Sequence, residues 1–345
     1  MKQMNISKNV PLSAYSTMGL GGPAAHLTEV HDRAELVEAL TWAKQQQLPV
    51  TMIGGGSNII WGDQGFAGLV VVNKMPGYDV LQVDEINYSV TVGAGENWDS
   101  VVARTVEAEL TGIEALSLIP GTAGGTPVQN VGAYGQEIST VLTIVEAYDS
   151  LQGGFVFLTG ADCGFSYRNS RFKSADRGRF FITNIKLQLK KAAPRPPFYP
   201  AVQAYFKENG IASATPAQLR EAVIAIRTAK LPDPAVVRNT GSFFGNPVVP
   251  REQFASLIQK FSNLPNWPMS NGTVKLSAAW LIEQTGFKDY HDEETGMATW
   301  PAQPLVLVNE KARTTADLLA FKAKIVNAVQ TKFGITLVQE PEMLS

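Results

Sequence analysis

Hydrophobic positions along the chain change period several times, and each change marks a boundary between helical and extended segments. Between Asp32 and Gln47, Leu36, Val37, Leu40 and Ala43 recur at the three-and-four spacing that places them on one helical face. The apolar run "VTMI" that follows reads as a strand, so the chain opens in α/β fashion. That strand empties into Gly54-Gly55-Gly56-Ser57-Asn58 and then "IIWGDQGFAG", a poor helix. A second α/β segment starts at "YSVTVGAGEN", a strand ending in a glycine turn. Trp98, Val101, Val102, Thr105 and Val106 then give helical spacing up to Leu110. From about Glu146 to Leu189 short β-like runs, including "FVFL" and "RFFITNIKLQL", alternate with turn residues.

The pattern breaks at "KKAAPRPPFYP", a segment too stiff and too poor in backbone donors for regular structure. Beyond it, Thr215-Pro216-Ala217-Gln218 carries a helix start, with a capping threonine, proline at the first helical position and glutamine where a capping box puts its amide. This helix is predicted to reach Lys230, where "LPDP" stops it. Further helices are predicted over Val274 to Gln284 and over Thr315 to Lys332, the second with Gly334 just past its end. Between them "LVLVNE" reads as a buried strand, and after Gly334 "ITLV" alternates. No internal repeat or low-complexity tract interrupts the order.

Composition narrows the function classes. With 345 residues, 45% of them hydrophobic, and a formal charge of −2, the chain has the profile of a soluble globular protein of two or three domains. Lys and Arg are balanced by acids and form no long block, so neither nucleic acid nor an anionic membrane surface is an expected partner. The start "MKQMNISKNVPLSAYSTMG" lacks the apolar core of a signal peptide and no segment has the apolar length to span a bilayer, which makes a cytoplasmic location the expectation. The single cysteine, Cys163, excludes an internal disulfide and leaves no cysteine cluster for zinc; no metal site is expected, and Cys163 itself reads as a half-buried core residue.

Candidate chemistry concentrates in glycine-rich loops placed after predicted strands. "GGGSN" and the seventeen-residue "IPGTAGGTPVQNVGAYG" could both cradle a pyrophosphate, because backbone N–H groups are anion donors and only small residues allow so close an approach. Gln129 and Asn130 add polar groups suited to orienting a ring. Neither loop has the lysine of a Walker motif, and "GGGSN" lacks the third glycine of a dinucleotide fingerprint, so a Rossmann fold is disfavoured and the class of cofactor stays open at this point. Farther along, "NTGSFFGNP" sets Ser242 beside a small-residue turn. It is no nucleophile elbow, since Gly241 precedes it directly, and His26, His31 and His291 offer no local base; chemistry at Ser242 would be proton transfer.

Taken together, "GGGSNI", "VGAGENW", "IPGTAGGTPVQNVGAYG", "FSYRNS", "TAKLPDP", "GSFFGNP" and the terminal "EPE" resemble the UDP-N-acetylenolpyruvoylglucosamine reductase (MurB) family, in order and along the whole chain from "STMGLGG" onward. The resemblance implies an α+β fold: a vanillyl-alcohol-oxidase/PCMH-like FAD-binding domain in two subdomains, with a smaller α/β substrate domain. The expected divisions are residues 1–76, residues 77–213 with a C-terminal strand at 335–345 returning to them, and residues 214–334. It also implies bound FAD, NADPH as co-substrate, UDP-N-acetylglucosamine enolpyruvate as substrate in peptidoglycan synthesis, and a monomer. "PPFYP" looks like the longer form of the family, in which a tyrosine loop closes over the substrate.

Carried over by motif, Ser242 corresponds to the proton donor, Arg168 of "SYRNS" to the arginine at the substrate carboxylate, and Glu342 of "EPE" to the catalytic carboxylate. A negative residue beside an enediolate is unfavourable unless it is protonated or shares a proton, so Glu342 is expected either to have a raised pKa or to pair with Arg168. FAD is expected at Gly54, Gly55, Gly56, Ser57, Asn58, Pro120, Gly121, Thr122, Gly124, Gly125, Thr126, Gln129, Asn130, Gly132, Ala133 and Tyr134. Substrate is expected at Tyr167, Tyr199, Lys230, Asn246, Trp267 and Gln303. Two departures stand out: Gly245 occupies a position that is often lysine in relatives, and Trp267 stands where related enzymes have tyrosine. Two rival readings are an FAD oxidase of small alcohols or sugars, and a nucleotide-sugar binding module without catalysis.

Overall fold

The first helix, α1 (Arg33–Gln45), begins where the Asp32 side chain accepts from the Glu35 N–H, and it buries Leu36, Ala39 and Ala43. Those side chains meet Val30, Leu69 and Val71, contributed by strands Pro23–Val30 and Phe66–Asn73. The structure is a computed structural model describing residues 4–345; the first three residues of the segment read for a leader lie outside the described residues. The sheet under α1 has the order Ser7–Pro11, Pro23–Val30, Phe66–Asn73, Val50–Ile53, with the last two strands parallel. Leu69, Val70, Val71 and Val72 are all buried, which is why "FAGLVVVN" forms an inner strand although its start carries little periodic signal.

A second sheet runs in the order Gly154–Thr159, Leu142–Asp149, Phe180–Lys191, Asn87–Gly93, Tyr78–Gln82, antiparallel throughout. Helix α2 (Trp98–Glu107), capped by the Asn97 side chain accepting from Ser100 N–H, buries Trp98, Val101, Val102 and Val106 against Val90, Val92, Ile185 and Leu187 of that sheet. Cys163 lies in the same core, and burial pushes its thiol pKa up to about 11, so it is structural rather than reactive. At the hairpin end of the sheet, Arg179 donates from Nε and Nη2 to both carboxylate oxygens of buried Asp149, at 3.0 and 2.6 Å.

The proline-rich segment stays irregular only to Tyr199, because Pro200 sits at the first position of α3 (Pro200–Glu208). Helix α4 (Pro216–Lys230) starts as its sequence predicts: Thr215 N–H donates to Gln218 Oε1 and Gln218 N–H to Thr215 Oγ1. Val202 and Phe206 of α3 share a small core with Leu219, Ala222 and Val223 of α4.

These elements form one compact unit, made of the residues up to Val10, Ala24–Gly56 and Ala67–Ala229; the other unit comprises Pro11–Pro23, Ser57–Phe66 and Lys230–Ser345. The second unit holds a sheet of order Asn239–Ser242, Gln303–Asn309, Met297–Trp300, His291–Asp292, and a smaller one of order Val248–Pro250, Thr273–Leu276, Asn266–Pro268. Its helices are α5 (Arg251–Lys260), α6 (Ala278–Glu283) and α7 (Thr315–Phe333). A full capping box between Thr314 and Asp317 starts α7 and Gly334, at φ +67°, ends it. Leu318, Phe321, Ile325 and Val329 of α7 pack with Phe243, Phe244, Leu281 and Leu307 in the largest core of this unit.

Two expectations are corrected. The helix predicted over Val274 to Gln284 is a strand, Thr273–Leu276, followed by the short α6: Val274 and Leu276 are buried at period two, and the Ser277 hydroxyl accepts from Trp280 N–H to start the helix late. The C-terminal strand does not return to residues 77–213; Glu342–Leu344 pairs in parallel with Ile59–Trp61. Among the described residues no helix is long and apolar enough to cross a membrane.

Candidate active site

In the first unit the two glycine loops meet. A Cβ on Gly54 would fall 2.1 Å from Thr122 Oγ1, and one on Gly55 would fall 3.0 Å from Gly121 Cα, so the approach is possible only without side chains. The longer loop is bound to the glycine turn after Asn87–Gly93: Ala123 N–H donates to Glu96 O and Gly124 N–H to Ala94 O, each at 2.9 Å. Among the described residues the N–H groups of Gly54, Gly55, Gly56, Gly121 and Thr122 have no backbone acceptor. A Cβ on Gly125 would meet nothing within 4 Å, so open space lies over this part of the loop. Backbone donors without backbone acceptors, beside glycines that approach too closely for any side chain, fit a cofactor phosphate.

The rest of the long loop is organised by its own polar groups. Asn130, buried and at φ +47°, donates to Glu137 Oε2 and Ser166 O and accepts from Ser139 N–H. Its carboxamide therefore braces the loop from within, while Thr126 donates to Ala123 O at 2.7 Å and Pro120, Gln129 and Ala133 occupy the same loop. Gly132 O accepts from Arg168 Nη2 at 2.7 Å, and a Cβ on Gly132 would stand 3.1 Å from Arg168 Nη1. Arg168 itself is at φ +54° in a turn closed by Ser166 and Asn169, and its guanidinium lies 5.3 Å from the Tyr167 ring, so these two stand side by side as their motif implies. A positive φ at a non-glycine residue costs energy, and here the turn and the Gly132 contact hold it.

Two tyrosines and an unforeseen arginine complete this unit's set. Tyr199, 42% exposed, meets the Tyr134 ring edge to face at 5.5 Å, and burial raises the Tyr134 pKa. Arg227 on α4 donates from Nη2 to Leu118 O at 3.2 Å, and its buried Nε has no partner among the described residues. Burial lowers its pKa, with Tyr134 and Asp99 acting in the opposite sense. In the sequence Arg227 resembles any basic residue near a helix C-terminus; only its burial sets it apart.

In the second unit Ser242 ends a strand whose geometry is fixed by Asn239. That side chain accepts from Gly241 N–H at 2.7 Å and donates to Val237 O at 2.7 Å, with Gly241 at φ +70°. Phe243 and Phe244 are buried edge to face behind the serine, and Ser242 is only half-buried, with no side-chain hydrogen-bond partner among the described residues. The hydroxyl is thus held in place by backbone and left with both donor and acceptor capacity. Asn246 Oδ1 accepts from Ala278 N–H at the start of α6, which leaves the two donors of its NH₂ for other partners.

Glu342 is placed by backbone on both sides. Its N–H donates to Asn58 O at 2.9 Å, and it lies opposite Ile59, so the main chain at the Ser57-Asn58 end of "GGGSN" also supports the glutamate. Lys230 is exposed at the C-terminus of α4, Trp267 is 40% exposed with Lys275 Nζ 5.7 Å from its ring, and Gln303 pairs with Trp300 at a strand end. Ser242, Asn246, Trp267, Gln303 and Glu342 are therefore features of one unit, and Arg168, Tyr167, Tyr134, Tyr199 and Arg227 of the other. No group of three or more His, Cys, Asp or Glu that could hold a metal ion occurs among the described residues.

A glycine cradle for phosphate in one unit and a positioned hydroxyl and carboxylate in the other are the parts of a nucleotide-cofactor oxidoreductase. Known proteins agree. The family described as FAD binding domain matches residues 24–154, and that described as UDP-N-acetylenolpyruvoylglucosamine reductase, C-terminal domain, matches residues 233–344. The UDP-N-acetylenolpyruvoylglucosamine reductase of Chromobacterium violaceum is 40% identical over 337 residues, covering 97% of this chain and 98% of its own. That of Thermobifida fusca is 40% identical over 353 residues, covering 99% and 98%. The crystal structure of UDP-N-acetylenolpyruvylglucosamine reductase (MurB) from Thermus caldophilus superposes with a TM-score of 0.69 over 99% of this chain and 100% of that one; at 24% identity this bears on the fold. The chain belongs to the UDP-N-acetylenolpyruvoylglucosamine reductase family, and its fold is the α+β arrangement of an FAD-binding domain and a smaller C-terminal domain that the motifs imply.

Proposed function

We propose that Ser242 is the proton donor of an FAD-dependent, NADPH-linked reduction of UDP-N-acetylglucosamine enolpyruvate to UDP-N-acetylmuramate, a step in peptidoglycan precursor synthesis. The observation that carries this role is the Ser242 hydroxyl: fixed by the Asn239 and Gly241 turn, backed by two buried phenylalanines and unbonded to any other side chain among the described residues. When bound, FAD would supply the hydride chemistry that links NADPH to the enol ether, and the chain's own residues would hold it and the substrate in place.

The residues of the chain do the rest. The N–H groups of Gly54, Gly55, Gly56, Gly121 and Thr122 bind the cofactor's phosphates, and Arg227 supplies positive charge at its unpartnered Nε. Arg168 binds the substrate carboxylate with a planar fork and stabilises the charge that accumulates there after hydride arrival. Ser242 then gives its proton to the neighbouring carbon on one face. Glu342 is the catalytic carboxylate beside that step, its main chain held by Asn58 O and its strand set opposite Ile59. Asn246 and Lys230 hold the diphosphate, Trp267 stacks, Gln303 meets the nucleotide, and Tyr199 closes the site. The protein works as a cytoplasmic monomer.

The test separates the half-reactions. Ser242→Ala is expected to leave anaerobic flavin bleaching by NADPH within about 2-fold of wild type and to slow the return of the yellow band on adding the enolpyruvyl substrate by roughly 10³-fold or more. Equal loss in both steps removes Ser242 from proton donation. Reoxidation by oxygen alone, with no response to the enolpyruvyl substrate, would favour the oxidase.

A further inference from the structure

Lys322 stands on α7 between Phe321, which is fully buried, and an exposed Ala323, so it sits at the edge of the helix's packed face. Its Nζ donates to Gln339 Oε1 at 2.7 Å, and Gln339 Nε2 donates to Pro341 O at 2.8 Å. An ammonium has donors only, so it fixes which end of the carboxamide faces it, and the NH₂ end must then meet the Pro341 carbonyl. Burial lowers the Lys322 pKa, and no carboxylate offsets that effect. A half-buried cation held by a neutral amide adds little stability, so what the contact supplies is placement of the amide.

What the pair places is the segment around Glu342. Gln339 lies opposite Phe244; Gly245 N–H donates to Val338 O at 3.0 Å and Glu340 N–H to Phe243 O at 2.9 Å. Residues 243–245, which continue from Ser242, and residues 338–340, which lead into Glu342, are therefore one short antiparallel ladder within the second unit. The Pro341–Glu342 peptide is held at its carbonyl by Gln339 and at its amide by Asn58 O.

We infer that Lys322 and Gln339 form a positioning pair, which fixes the Pro341–Glu342 peptide and so the Glu342 carboxylate in register with Ser242; this rests on the catalytic role proposed above for Glu342. Lys322 belongs to the helix and Gln339 to the ladder, so the pair ties the glutamate's main chain to the most firmly packed helix of its unit.

The experiment uses full-length, FAD-loaded protein carrying Lys322→Met, Gln339→Leu, both together, Gln339→Glu, Lys322→Arg and, as reference, Glu342→Gln. Lys322→Met and Gln339→Leu are each expected to slow the substrate-dependent half-reaction about 10- to 100-fold, with reduction by NADPH changed less than about 2-fold. The double variant is expected to be no slower than either single one, because the two residues act as one device. Gln339→Glu keeps the ion contact to Lys322 but sets an acceptor against the Pro341 carbonyl, so it is expected to be slow as well, while Lys322→Arg recovers most of the rate. Amide hydrogen exchange at Glu340 and Glu342 is expected to accelerate in the slow variants at unchanged melting temperature. Normal rates in Lys322→Met and Gln339→Leu beside an impaired Glu342→Gln overturn the inference. An unimpaired Glu342→Gln instead overturns the role of the glutamate, and amide exchange then still reports whether the pair orders its main chain. Should Lys322→Met fail to fold, Gln339→Leu and Gln339→Glu decide the matter.

Discussion

At the level of single residues, glycine carries much of the site's geometry, and for a reason that can be measured. Gly54 has Thr122 Oγ1 where a methyl group would stand, at 2.1 Å, and threonine is β-branched and poorly able to turn away. Gly54→Ala is expected to cost about 1–3 kcal/mol of loop packing and to yield protein with a fraction of the wild-type flavin per chain, read from the visible absorbance of purified enzyme. Full flavin content at an unchanged melting temperature would remove this loop from the cradle. The residue types at Ser242, Arg168 and Glu342 could be singled out in the sequence only through the order of seven short motifs, because a serine, an arginine and a glutamate in loops are unremarkable in isolation. Arg227 escaped that reading: what marks it is a buried, unpartnered Nε, and burial is a property of the folded chain. Asn130, read as suited to orienting a ring, also ties its loop to Glu137, Ser139 and Ser166, bonds that no local pattern in the sequence announces.

At the level of elements, capping chemistry and period proved the most legible signals. The start of α4 at Pro216 was readable to the residue and the end of α7 before Gly334 to within one, since each depends on contacts within one turn of chain. The strand Thr273–Leu276 was misread because four alternating residues next to a helix resemble a longer helix until their partners on both sides, Val248–Pro250 and Asn266–Pro268, are known. The hairpin end of the second sheet, where Asp149 meets Arg179, offers a pH test. Arg179, hydrogen-bonded to Asp149, holds the Asp149 carboxyl below its usual pKa, and the Leu151 and Gln152 amides act in the same sense against burial. A depressed folded-state pKa contributes stability that is fully present above the unfolded value of about 4 and is lost as pH falls through the folded one. Asp149→Asn is thus expected to lower the urea midpoint at pH 7, with the gap from wild type closing as pH drops below about 4. A gap independent of pH would mean that the ion pair contributes nothing.

For the whole molecule, the chain passes between the two units five times, after residues 10, 23, 56, 66 and 229. Met18, Leu20 and Ile60, all buried, reach the second unit's core from segments far earlier in sequence than Lys230. Their loss would remove roughly 4–9 kcal/mol of burial, comparable with the entire stability of a domain. A fragment of residues 230–345 is therefore expected to show neither a cooperative thermal transition nor near-ultraviolet circular dichroism, and recovery of both on adding back residues 11–23 and 57–66 through a short linker would establish the composition of the unit. A fragment that melts cooperatively by itself would show that these early segments are dispensable.

The parallel pairing of Ile59–Trp61 with Glu342–Leu344 also sets a timetable for biosynthesis. Ile60 and Trp61 leave the ribosome some 280 residues before the strand that covers them, an interval of about 15–55 s at ordinary elongation rates. Throughout that time an apolar strand waits without its partner, and Glu342 cannot be seated until its own strand has been made. Nascent chains of this enzyme should therefore be clients of holding chaperones, and a chain stalled near its end should carry a finished glycine cradle but no seat for its glutamate.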